Sequence, residues 1–170
     1  MTDLDTLMRR REPLDSELQG YLVDSLLGPV IKHPLVFSIP HSPQLNAMAN
    51  ARLRAKQDGC RHAAENKQWT QYLFLHERPF RVYAFTRIAA QLSDVDYWTL
   101  LADLWVDAEN IYEDQQLWES LLQDDDRFPR RHLMMTEAER QVLAAHPETL
   151  TIYRGFNVDG RQSGMSWTLN

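Results

Sequence analysis

The sequence predicts a mainly α fold: a helical, bundle-like body followed by a short C-terminal β-hairpin. Three observations predict it. Apolar residues recur at helical spacing through much of the chain, and two segments open with helix-capping patterns. The last sixteen residues then hold three of the six glycines (Gly155, Gly160 and Gly164), among β-branched and aromatic neighbours. The predicted organisation is a charged, flexible arm over 1–13, a helical domain over 14–147 and a partial β segment over 148–170.

The elements follow in order. Pro13 closes the arm. Leu14, Leu18, Leu22, Val23, Leu26 and Leu27 fit one helical face, which Gly28-Pro29 stops. Three prolines between His33 and Pro43 predict an extended loop. A helix is expected from Leu45 to about Gln57 with Gly59 as its stop, and another from Arg61 to Leu75 with Trp69, Tyr72 and Leu73 inward. Pro79 suits the first position of a helix reaching Gln91, because its missing N–H is not needed there.

Ser93-Asp94-Val95-Asp96 resembles a capping box with Asp in place of Glu, and Thr136-Glu137-Ala138-Glu139 is a stricter one. Between them Trp98, Leu101, Leu104, Trp105, Ala108 and Tyr112 make a broad apolar face. Asp124-Asp125-Asp126 and Phe128-Pro129 read as a loop, and His146-Pro147 ends the last helix. Thr151–Phe156 and Gly164–Leu169 read as strands joined through the turn signal Asp159-Gly160.

Composition excludes several classes. Seventeen aromatic residues argue against a disordered chain. The lone Cys60 forbids an internal disulfide framework and points to a reducing cytoplasm. Nothing resembles a membrane span or a signal peptide, so no membrane partner is expected. A net charge of -6 argues against direct nucleic-acid binding. That charge is unevenly spread: Ser93 to Asp126 holds eleven acidic residues and no Lys or Arg, leaving the remainder at +5.

Candidate metal ligands are incomplete. Cys60-x-His62 with Glu65 lacks the rest of a zinc set. His76-Glu77 lacks a second histidine, and Asp124–Asp126 lacks the spacing of a calcium loop. No metal is expected. His33 and His41 have no evident nucleophile beside them, and no phosphate-binding glycine motif is present. In the acidic segment, Asp96, Asp103, Asp107 and Asp114 fall on one helical stripe opposite Trp98 and Trp105. This is either a solubilising face or a docking surface for a basic partner. Glu109, nearer the Trp edge, is a candidate partner for an arginine. The basic stretch Arg52, Arg54, Lys56, Arg61 and Lys67 is either an internal partner for the acidic helix or a site for an external phosphate.

Tyr153-Arg154-Gly155 followed by Gly164-Met165-Ser166-Trp167-Thr168 resembles the opening motifs of ADP-ribosyltransferases of the Arg-Ser-Glu type. Tyr153-Arg154 corresponds to that family's aromatic-Arg on its first core strand, and Ser166-Trp167-Thr168 to its Ser-x-[Ser/Thr]. The preceding stretch, including His76–Arg81 (HERPFR) and Asp96–Asn110 (DYWTLLADLWVDAEN), is similar to the helical leader of bacteriophage-type proteins that end in YRG…GxSWT. The resemblance covers about 18 residues of catalytic-family motif. It implies an NAD-binding β-core, of which the hairpin would be the start. It further implies that Arg154 holds a phosphate or ribose, that Gly155 lets backbone approach the nicotinamide amide, and that Ser166 and Thr168 shape the pocket. Tyr153 and Trp167 belong to the same cofactor-binding set.

Two departures accompany it. The Arg154-to-Ser166 spacing is short compared with many toxin members, and no Glu follows Ser166 within these 170 residues. Glu109, Glu113 and Glu119 lie upstream, out of family order. The expectation is an ADP-ribosyltransferase-related phage or prophage protein, inactive as this chain. The alternative is a small acidic phage inhibitor of an anti-defence type, docking through 93–126 onto a basic host complex that binds nucleic acid.

Overall fold

The computed structural model describes residues 11–109, 111–155 and Thr168. Among these residues the fold is mainly α, with one small antiparallel sheet. It divides into two units, Met1–Ala84 and Phe85–Asn170.

In the first unit, the predicted helix over Leu14–Leu27 is replaced by a short helix and a sheet. Helix α1 is only Ser16–Gln19, capped by the Asp15 carboxylate, which accepts from the Glu17 N–H. Strands β1 (Leu22–Val23), β2 (Val30–His33) and β3 (Val36–Pro40) then pair antiparallel in that order. The segment expected as a proline-rich loop therefore supplies β3 and the end of β2. Pro34 sits between these strands, and Pro40 ends one that lies at the sheet edge, where a missing donor costs least. Gly28, at φ 101°, closes the β1–β2 turn in a conformation that side chains disfavour. This turn leaves Leu26 and Leu27 fully exposed, although their helical spacing predicts burial.

A single helix α2 (Asn46–Glu65) runs through Gly59, the expected stop. The glycine serves close packing instead: a Cβ there would meet Leu75 Cδ1 at 3.1 Å. The break comes later, around Lys67 at φ 53°, and leads into α3 (Trp69–Leu75). Leu14, Leu18, Ile31, Val36, Ala49 and Leu53 form the core beneath the sheet. The end of the predicted arm is fastened to α2. Asn46 Nδ2 donates to the Glu12 carbonyl, and Asn50 Nδ2 donates to the Pro13 carbonyl and Glu12 Oε1. Residues 1–10 lie outside the described residues.

The helix introduced by Pro79 begins as a 3-10 turn (Arg78–Phe80) and becomes α4 (Arg81–Ile88), within which the two units divide. A 3-10 turn (Ala89–Gln91) ends it. In the second unit, α5 (Asp94–Asp107) starts where expected: Ser93 Oγ accepts from the Asp96 N–H at 3.1 Å. Its inner face buries Tyr97, Trp98, Leu101 and Leu104. The apolar face does not continue to Tyr112, because Ala108 is extended and ends the helix; Tyr112 is exposed. Helix α6 (Gln115–Leu122) packs Trp118 edge-on against Trp105, with ring centroids 5.3 Å apart.

After Asp124–Asp126 the chain enters a 3-10 segment (Phe128–Met134). Helix α7 (Glu137–Ala144) has the complete capping box: Thr136 Oγ1 accepts from the Glu139 N–H, and Glu139 Oε2 accepts from the Thr136 N–H.

Candidate functional site

Both candidate surfaces belong to the second unit. At the C-terminal motif, Tyr153 and Thr168 form an antiparallel pair that exchanges two backbone hydrogen bonds. The Tyr153 N–H donates to the Thr168 carbonyl at 2.8 Å, and the Thr168 N–H donates back at 3.0 Å. Such a mutually bonded pair fixes register: a one-residue slip would turn every side chain to the other face. It places Thr168 directly opposite Tyr153, the residue before Arg154. Tyr153 and Thr168 are exposed, and Arg154 is half-buried. Gly155 is exposed, and a Cβ there would meet no atom within 4 Å, so packing does not demand glycine at this position. Ser166 and Trp167 lie outside the described residues, as does the rest of the expected second strand except Thr168.

The acidic surface is built on α5. Asp96 and Asp103 are exposed, and Asp107 is partly so; all three lie on the face opposite Trp98 and Trp105. Asp114 does not share the stripe, because α5 ends at Asp107 and Asp114 lies at the start of a separate helix, α6, in its N-cap position but without a side-chain capping bond. The carboxylate of Asp96 is already engaged, accepting from Ser93 Oγ at 2.6 Å. Asp103 forms no ion pair among the described residues.

A further acid of this segment, Asp94, is neutralised internally. Arg127 Nη1 contacts Asp94 Oδ1 at 3.0 Å, and Arg130 contacts the other carboxylate oxygen. Arg127 Nη2 also donates to the carbonyls of Ala89 and Leu92, and its guanidinium lies 4.5 Å above the Tyr97 ring. Burial above all, with the Asp124 charge, pushes the Tyr97 hydroxyl up to about 12 against the opposing influence of Arg127. The hydroxyl donates to the Leu121 carbonyl at 2.9 Å. Only the acidity of this region was visible in the sequence, because Arg127 lies 33 positions beyond Asp94.

The basic stretch finds its partners elsewhere. Arg52 and Lys56, one turn apart on α2, both reach Glu77, at 2.7 and 2.6 Å. Arg54 approaches Glu12, and Arg61 pairs with Asp58. Sequence reasoning also missed the role of His33. It is buried on β2, with Nε2 3.1 Å from Glu17 Oε1 and Nδ1 accepting from the Leu35 N–H. Those partners satisfy both ring nitrogens and make it a structural histidine.

Cys60 is buried, and burial pushes its thiol up against the opposing influence of Lys56. Among the described residues, no group of three His, Cys, Asp or Glu side chains could hold a metal ion. No helix among them is long and apolar enough to cross a membrane. No protein-family model, curated protein or solved structure matches this chain.

Proposed function

We propose that this chain is related to the ADP-ribosyltransferases, with the Tyr153–Gly155 and Ser166–Thr168 segments forming the NAD-recognition start of the core. The observation that supports this reading is the doubly hydrogen-bonded pair of Tyr153, from the first motif, and Thr168, from the second. NAD cleavage needs a dinucleotide held rigidly while positive charge develops on its ribose. Arg154 supplies a fixed fork of donors for a phosphate or ribose. The reading is confined to NAD recognition by these two segments.

Saturation-transfer NMR with NAD and the purified chain tests the reading. Arg154→Ala, and Thr168→Pro, which removes a pairing donor, should each abolish the NAD signal. Absence of NAD contact in the unaltered chain sinks the relation. Nicotinamide release that depends on Arg154 would support the relation.

A second reading is a docking protein for a basic partner. It is supported by Asp103, exposed on a helix that carries no Lys or Arg, in a unit with 15 acidic and 7 basic residues. Asp103→Lys should weaken capture of a basic partner in a salt-sensitive way.

A further inference from the structure

The turn between β2 and β3 is built against the twist of its strands. His33 pairs with Val36, so Pro34 and Leu35 alone make the connection. Two-residue hairpins favour turns with a positive φ, because these match the twist of paired strands. Pro34 fixes a negative φ, and Leu35 does not take a positive one either. Such a turn needs support from outside its own backbone, and it has two supports. The Glu77 N–H donates to the Pro34 carbonyl at 2.7 Å, and the Leu35 N–H donates to His33 Nδ1 at 3.1 Å.

The second support dictates where the His33 ring carries its proton. A backbone N–H can only donate, so Nδ1 is the acceptor and the neutral ring holds its proton on Nε2. That proton faces Glu17 Oε1, 3.1 Å away. The other carboxylate oxygen of Glu17 accepts from Gln57 Nε2 at 2.7 Å, which ties α1 to α2. His33 is 5% exposed, and its ring meets Tyr21 edge-on at 4.6 Å. One buried imidazole thus joins the turn through Nδ1 to α1 through Nε2.

A second proton changes these two bonds in opposite directions. It enters at Nδ1, where it faces the Leu35 N–H, donor against donor. At Nε2 it converts the contact with Glu17 into an ion pair, which is stronger. The titratable and charged groups described around the ring are Glu17 on α1, Tyr21 beyond it, and Lys32 on the same strand. Across the turn stands Glu77, with Arg52 and Lys56 of α2. The Glu77 carboxylate is committed to those two cations, so Glu17 is the carboxylate placed to hold the charged ring.

The geometry points to a pH-sensitive latch: protonation of His33 releases the Leu35 N–H and loosens the β2–β3 turn, while Glu17 keeps hold of the ring. The latch is closed while the ring is neutral and opens as pH falls through the range in which imidazole titrates. His76 provides a contrast within the same unit. It is buried as well, but its Nδ1 lies 2.8 Å from the Tyr72 carbonyl, which can only accept. Nδ1 therefore already carries the proton, and a second one enters at Nε2 without disturbing that bond.

The test is NMR on the isotope-labelled full chain, with ring correlations that read each histidine tautomer from about pH 8 to about pH 5. At the upper end His33 should carry its proton on Nε2 and His76 on Nδ1. As His33 takes its second proton, amide exchange at Leu35 should quicken about tenfold relative to its intrinsic rate. His33→Asn supplies an Oδ1 that accepts from an N–H two residues on and does not titrate, so Leu35 should stay protected in acid. Glu17→Gln removes the charge that holds the protonated ring and should move the release to lower pH.

A His33 proton on Nδ1 at the upper end, or a ring that stays neutral down to about pH 5, would overturn the latch. So would a Leu35 amide that stays protected once the ring is charged, an unmoved release in Glu17→Gln, or equal acid release in a folded His33→Asn. If circular dichroism shows His33→Asn to be unfolded, the tautomer and exchange measurements on the unaltered chain and Glu17→Gln decide.

Discussion

Replacing Arg127 with Ala removes the clamp over the elbow between α4 and α5. Arg127 reaches three groups there: the Asp94 carboxylate in the first turn of α5, and the Ala89 and Leu92 carbonyls at the end of the preceding helical segment. The side chains of Arg127 and Asp94 are only 17% and 22% exposed, so the pair is much less screened than a surface ion pair. Hydrogen bonds to a charged group contribute about 1.5–3 kcal/mol each, and stacking on Tyr97 adds about 0.5–1 kcal/mol. These contributions overlap, and Arg130 remains to hold Asp94, so the expected loss is about 3 kcal/mol. In a unit of this size that lowers the melting temperature by roughly 12–24 °C.

The assay is urea unfolding followed by tryptophan fluorescence, which reports on this region because Trp98 Nε1 donates to the Arg127 carbonyl. Arg127→Lys keeps the charge but not the planar fork, and should recover about half of the loss. Arg61→Ala is the comparison: its pair with Asp58 is 67% and 70% exposed and should matter by less than about 0.5 kcal/mol. If Arg127→Ala costs no more than Arg61→Ala, or Arg127→Lys equals the unaltered chain, the clamp does not stabilise the elbow.

The remaining predictions concern α7, Tyr97, Gly59 and Cys60. Thr136→Ala should destabilise α7 by about 1 kcal/mol, read as faster amide exchange in its first turn. Bonds from the Thr136 backbone and hydroxyl hold the Glu139 carboxyl below its ordinary 4.5. Its contribution is therefore present above pH 4.5 and lost as pH falls through the depressed value, so α7 should fray in acid. Tyr97 has the opposite sign: with its hydroxyl raised from 10 to about 12, its contribution is intact below pH 10 and lost as pH rises toward 12. An alkaline unfolding transition should therefore move to higher pH in Tyr97→Phe, beyond the cost of losing the bond to Leu121. Gly59→Ala should change stability by less than about 1 kcal/mol, because helix propensity offsets the displacement of Leu75. Gly59→Val should cost about 1–3 kcal/mol more, measured by urea unfolding. Cys60 should react slowly with thiol reagents until urea unfolds the chain, since burial disfavours its thiolate.

What could be read in advance was mostly local. The Ser93 and Thr136 caps join residues three apart, so the pattern that makes the bond is contained in the sequence around it. The β1–β3 sheet was not legible in the same way. Ile31, Lys32 and His33 alternate as a half-buried strand should, but pairing Leu22 with Ile31 and Val30 with Pro40 depends on groups up to ten positions away. Leucines at helical spacing and prolines that resembled loop punctuation concealed it. Gly59 misled for a related reason, since its role is set by Leu75 on another helix. At the candidate sites, the sequence carried the motif residues and the acidic block. It did not carry the Tyr153–Thr168 register or the removal of Asp114 from the acidic stripe.

The sequence alone determined the mainly helical class, the caps, the concentration of acids in one segment and the motif residues at the tail. Each depends on composition or on contacts within one helical turn. Tertiary structure decided which acids remain available. Arg127 and Arg130 close over Asp94, whereas Asp103 stays exposed on α5. The physical reason is that charge pairing depends on distance in space, and Asp94 and Arg127 become neighbours only when the chain returns across the start of α5.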